Sequence, residues 1–87
     1  MDVTQQTQVY PGPDATDLKI LAYVRDFIAE QDYPPTFQEV GRKLGLAKST
    51  VWYRCQRLRS AGLLNWRGGS NRTLKLTEAG EITAEVE

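Results

Sequence analysis

The chain has 87 residues, 40% apolar and 25% charged, a composition that suits one globular domain and leaves no room for several. No apolar run nears the ~20 residues of a membrane-spanning helix, no basic segment leads into an apolar one as in a secretory leader, and a lone cysteine excludes an internal disulfide. Eleven basic and eleven acidic residues give zero net charge, which taken as a total argues against a polyanionic partner.

Residues 1–13 are polar, contain two prolines and lack periodicity, so they read as a flexible arm ahead of a domain spanning 14–87. A first helix is expected over residues 16–31, with Thr16 as its cap and Asp17 beside it. Ile20, Leu21, Val24, Phe27 and Ile28 form its apolar stripe. Tyr33-Pro34-Pro35 then stops it, because neither proline can continue a helix.

Thr36 and Glu39 form a T-x-x-E capping box at the start of a second helix. Phe37, Val40 and Leu44 share one face, and Gly45 follows where a helix favours a left-handed residue. Gly41, inside this helix, costs about 0.5–1 kcal/mol relative to alanine, which implies close packing against the crossing helix.

A third helix starts near Lys48 and stops before Gly62. Val51, Cys55 and Leu58 fall within roughly 60° of one another and make its core face. Ser49, Tyr53, Gln56 and Ser60 point away, flanked by Trp52 and Arg59 on one side and by Thr50 and Arg57 on the other. This outward face holds hydroxyls, an amide, aromatics and arginines, with no carboxylate to repel phosphate.

Alternating residues 63–66 and 73–76 predict two paired strands around the glycine-rich loop 67–72. Thr77 is placed to cap a short final helix, with Glu78 in its first turn. Ile82 and Val86, four residues apart, suggest a face that buries against the domain or against a second copy.

Charge is unevenly distributed. Residues 42–75 hold nine basic residues and no acid, whereas residues 1–41 carry a net −5 and residues 76–87 a net −4. Such a dipolar domain can turn one face to phosphate despite its neutral total.

The run Tyr33-Pro34-Pro35-Thr36 with Glu39-Val40, then Leu44-Gly45-Leu46, Ser49-Thr50-Val51, Leu58 and Ala61-Gly62-Leu63-Leu64, resembles the winged-helix domain of LexA-type repressors. The second half of this pattern is shared by many winged helices; the first is more specific. The resemblance covers residues 17–76 and implies a mostly α fold with a small β hairpin: a winged helix-turn-helix with a three-helix core, a two-stranded wing and a short C-terminal helix. It implies sequence-specific binding of duplex DNA, with positions matching Ser49, Thr50, Trp52 and Tyr53 near base edges and the wing near the backbone or minor groove. Ala47 departs from the serine cap of many relatives, and Trp52-Tyr53 is bulky for a base-reading position. With the last residue at Glu87, the self-cleaving protease domain of that family is not expected here. The Ala61-Gly62 and Ala79-Gly80 pairs are similar to the dipeptide cut in those repressors, but both fall at helix positions and read as coincidence.

Catalysis finds little support. There is no histidine, Cys55 falls on a core face without a base nearby, no cluster has metal-ligand spacing, and loop 67–72 lacks the context of a phosphate-cradling loop. The expectation is a non-enzymatic, cofactor-free, cytoplasmic transcription regulator, a repressor of bacterial or phage origin associated with the nucleoid. Its expected DNA contacts are Lys48, Ser49, Thr50, Trp52, Tyr53, Gln56 and Arg57 on the helix, and Arg67, Ser70, Asn71 and Arg72 on the wing. The expected partner is double-stranded DNA, with a homodimer or partner protein left open and no membrane or small-molecule effector. An alternative is a protein-interaction module centred on Trp52 and Tyr53; a weaker one is a winged helix that binds RNA or a non-standard duplex.

Overall fold

The computed structural model describes residues 12–68 and 72–85. Most of the expected arm, together with Ser70, Asn71 and Val86, lies outside the described residues. The elements run α1 (Ala15–Gln31), α2 (Phe37–Leu44), α3 (Lys48–Ser60), β1 (Leu64–Asn65), β2 (Lys75–Leu76) and α4 (Glu78–Glu85). Three helices and a two-stranded antiparallel hairpin give the winged helix-turn-helix, with α4 packed against α1.

The start of α1 corrects the sequence reading. Asp14, not Thr16, is the cap: its Oδ1 accepts from the Asp17 N–H at 2.9 Å, and the Asp17 carboxylate accepts from the Asp14 N–H at 3.3 Å. A carboxylate three residues before another makes a reciprocal capping box that a lone Thr16 cannot. Ile20, Leu21 and Val24 are fully buried; Phe27 sits at the stripe's end, edge-on to Tyr23 and Tyr33. The helix ends before the prolines, at left-handed Asp32 (φ 66°), whose N–H donates to the Ile28 carbonyl at 2.9 Å.

The second helix has the expected capping box, with Thr36 and Glu39 each accepting from the other's N–H at 3.0 Å. Gly45 closes it at φ 72°. A Cβ on Gly41 would lie 2.6 Å from the Leu46 carbonyl oxygen and 3.3 Å from Val51 Cγ2. Close packing is therefore real, and it involves the turn's backbone as well as α3. Val51, Cys55 and Leu58 of α3 are fully buried against α1 and α2.

The hairpin is shorter than expected, pairing only Leu64 with Leu76 and Asn65 with Lys75. Beyond these pairs side chains replace the ladder: Asn65 Oδ1 accepts from the Trp66 N–H and Thr73 Oγ1 accepts from the Arg67 N–H, both at 2.9 Å. Leu64, Trp66 and Leu74 point into the core, and Trp66 meets Phe37 edge-on at 5.3 Å between ring centroids.

Thr77 caps α4 as expected, its Oγ1 accepting from the Gly80 N–H at 3.0 Å. Of the two alternatives for the Ile82 face of α4, burial against the domain is not what the structure has. Ile82 is 60% exposed, and Gly80 and Ala84 face inward instead. Any side chain on Gly80 would collide with the Leu63 carbonyl oxygen, so only small residues let α4 lie this close.

Candidate nucleic-acid interface

The helix-turn-helix presents the outward side of α3. Lys48, Ser49, Trp52 and Tyr53 are exposed, while Thr50, Gln56 and Arg57 are half-buried along the same helix. Arg57 lies beside Tyr53, its guanidinium carbon 5.9 Å from the ring centroid. Seven of the eleven expected contact residues thus share one helix. No side chain caps α3 at Ala47, and its first turn holds no acid.

The wing side is divided. Arg67 is exposed at the end of the first strand, and Ser70 and Asn71 lie outside the described residues. Arg72 folds back onto the start of α2. Its Nη1 and Nη2 donate to Glu39 Oε1 and Oε2 at 3.0 and 2.9 Å, Nη1 also donates to the Pro34 carbonyl at 3.1 Å, and the guanidinium lies 4.9 Å from the Tyr33 ring centroid. The Arg72 guanidinium, followed by the Thr36 N–H, holds the Glu39 carboxyl below its usual range.

Two further arginines of the acid-free run are engaged. Arg54 Nη1 donates to both carboxylate oxygens of Asp14, at 3.0 and 2.9 Å, and to Asp17 Oδ1 at 3.0 Å. The Asp17 N–H, followed by Arg54, lowers the Asp14 carboxyl. Arg59 stacks 4.3 Å over the Trp66 ring and donates to the Trp66 carbonyl at 3.2 Å. The run is acid-free in sequence, but the fold brings Asp14, Asp17 and Glu39 to it from outside.

Sequence reasoning passed over an open groove beside the wing, lined by Arg59, Asn65, Trp66, Arg67, Thr73 and Lys75. Asn65, Arg67 and Lys75 occupy the outward positions of the alternating strands, and that period was the available signal. Among the described residues no cluster of His, Cys, Asp and Glu could hold a metal ion. Burial, followed by nearby Asp17, pushes the Cys55 thiol up to about 12, which leaves it a packing group. No described helix is long and apolar enough to cross a membrane.

A helix-turn-helix with a carboxylate-free outward face, flanked by a cationic hairpin, defines a winged helix-turn-helix domain of the DNA-binding class. Residues 15–73 match the model of the LexA DNA binding domain, and the chain belongs to that family. It is 40% identical over 63 residues to the LexA repressor of Lacticaseibacillus casei, covering 71% of this chain and 30% of that protein. The chain therefore spans less than a third of the length of that relative. Among solved structures it is similar to a transcriptional regulator from Thermotoga maritima, with TM-score 0.65, 29% identity, and coverage of 83% of this chain and 49% of that one. It is also similar to a MarR family regulator from Neisseria meningitidis, with TM-score 0.59, 31% identity, and coverage of 92% and 52%.

Proposed function

We propose that this chain is a sequence-specific double-stranded DNA-binding protein that represses transcription, inserting α3 into the major groove. The observation that carries the reading is the outward face of α3, where Lys48, Ser49, Thr50, Trp52, Tyr53, Gln56 and Arg57 stand on a helix with no acidic residue. Membership of the LexA DNA-binding family and the likeness to winged-helix regulators support it. Lysine and arginine neutralise phosphates and make affinity salt-dependent. Hydroxyl and amide groups read base edges. The wing adds Arg67, with Arg59 and Lys75 along the adjoining groove, and the expected contacts Ser70 and Asn71 belong to the same loop in sequence. A single winged helix covers one half-site, so two copies on a palindrome fit this mode of binding. The regulator acts in the cytoplasm, on the nucleoid.

The test is selection from a random duplex library, followed by anisotropy titration of the winning site at two salt concentrations. Enrichment of one motif, with Arg57→Ala weakening binding and lowering the salt slope by about one, supports the reading. Failure to enrich any motif removes sequence-specific regulation. A second reading is favoured by the exposure of Trp52 (48%) and Tyr53 (60%), an aromatic pair of the kind that anchors protein interfaces. It requires a protein partner whose binding survives high salt and is lost in Trp52→Ala.

A further inference from the structure

The wing has a weak hinge and an unusual fastening. Its ladder is only two residue pairs long, too short to hold a hairpin at a fixed angle by itself. The far side of the hairpin is tied instead to the start of α2. The apolar part of this seam is Trp66 against Phe37. The polar part is Arg72 on Glu39, on the Pro34 carbonyl and over Tyr33.

We propose that Arg72 is a positioning residue: it forms a latch with Glu39 that fixes the wing against α2, and it does not serve as a phosphate contact. The inference rests on the DNA-binding reading for its consequence, though the latch has a readout of its own. Three observations support it. The Arg72–Glu39 pair is a two-bond fork, which sets orientation as well as distance and which lysine cannot reproduce. Arg72 holds a left-handed backbone, φ 57°, a conformation that non-glycine residues keep where surrounding contacts over-determine it. Glu39 is itself fixed, because Oε1 also accepts from the Thr36 N–H at 3.0 Å, so the latch closes onto a rigid helix end. Turning Arg72 out to a phosphate would break its contacts to Glu39, Pro34 and Tyr33 and leave the Glu39 carboxylate without its guanidinium partner.

Glu39→Gln isolates the charge pair, since glutamine still serves a capping box. Arg72→Lys keeps the charge but loses the fork. The latch predicts that Glu39→Gln, Arg72→Lys and Arg72→Gln each weaken DNA binding by about threefold to tenfold, with the salt slope unchanged. It also predicts that the double variant Glu39→Gln/Arg72→Gln binds no worse than either single variant. A phosphate contact predicts the reverse: Glu39→Gln neutral or tighter, Arg72→Lys near wild type, and Arg72→Gln lowering the slope by about one. That pattern overturns the proposal.

Without DNA, backbone amide order parameters over residues 72–76 are expected to fall in Glu39→Gln while those of α3 hold. Unchanged order parameters overturn the latch whatever the DNA result. If they fall but the wild type binds no duplex, the fastening stands and the DNA-binding reading fails.

Discussion

The N-termini of α2 and α3 are built in opposite ways, although one tight turn joins the end of α2 to the start of α3. The start of α2 is closed by the Thr36–Glu39 box, with Arg72 brought from the wing to neutralise the carboxylate. The start of α1 repeats the device, with Asp14 and Asp17 in the box and Arg54 brought from α3. The start of α3 has neither: Ala47 offers no side-chain acceptor and no acid follows in the first turn. A missing cap costs about 1 kcal/mol. That cost is tolerable where an external anion can meet the backbone N–H groups and the positive end of the helix dipole. Closed ends thus mark the joints of the frame, and on the proposed DNA-binding reading the open end belongs to the helix that meets the ligand.

The comparison breaks if α2 and the turn into α3 can move independently, and Gly41 holds them together. Gly41→Ala puts a methyl 2.6 Å from the Leu46 carbonyl, so the turn must shift. A loss of about 1–3 kcal/mol is expected by urea unfolding. A variant within about 0.5 kcal/mol of wild type would show a joint loose enough to absorb a methyl. Arg54→Gln comes next. Asp17 loses its guanidinium partner at a side chain only 1% exposed, and a loss of about 1–2 kcal/mol in unfolding free energy is expected. The analogous Arg72→Gln should cost less than Arg54→Gln, because that pair is more open to water. Equal losses would erase the distinction between a buried fastening at α1 and a wing latch at α2.

Local signals in the sequence carried most of the frame. The T-x-x-E box, the glycine after Leu44 and the alternation around Asn65 each encode a structure by short-range chemistry, and each appears where the sequence puts it. What escaped depends on partners far along the chain. Asp14 and Thr16 are both acceptable caps; the box with Asp17 and the arrival of Arg54, 40 residues on, favour Asp14. Counting charge over 42–75 treated Arg54 and Arg72 as cations without carboxylate partners, because a count cannot see carboxylates folded onto the run. The inward face of α4 was missed since Gly80 and Ala84 carry no hydrophobic signal, although their small size lets α4 reach Leu63. Residues on α3 were easier to place, because helical period alone separates Val51, Cys55 and Leu58 from the outward set.

Closing the open end should separate stability from function. Ala47→Asp supplies both an acceptor and a charge suited to the helix dipole, and a gain of about 0.5–1 kcal/mol is expected by thermal or urea unfolding. The same carboxylate would stand where a phosphate approaches, so duplex binding should weaken while Ala47→Ser, neutral and capping, weakens it less. A stabilised Ala47→Asp domain with wild-type affinity would show that the uncapped terminus serves no ligand.

Acid should produce the smallest and most local effect. Asp14 and Glu39 both have carboxyls held below their usual range in the folded domain. Their contribution is present above their unfolded values, about 4, and is lost as pH falls through the lower folded values. Above about pH 5 stability should therefore be flat with respect to these two groups. Below pH 4, amides at the starts of α1 and α2 should lose hydrogen-exchange protection as Asp14 and Glu39 protonate. The start of α3 has no acid in its first turn and should respond only when the whole domain opens. Protection lost at all three ends together would mean that the capping carboxylates are not independent of the global transition. Loss at α1 and α2 alone would confirm that two ends are closed by ionised carboxylates and the third is not.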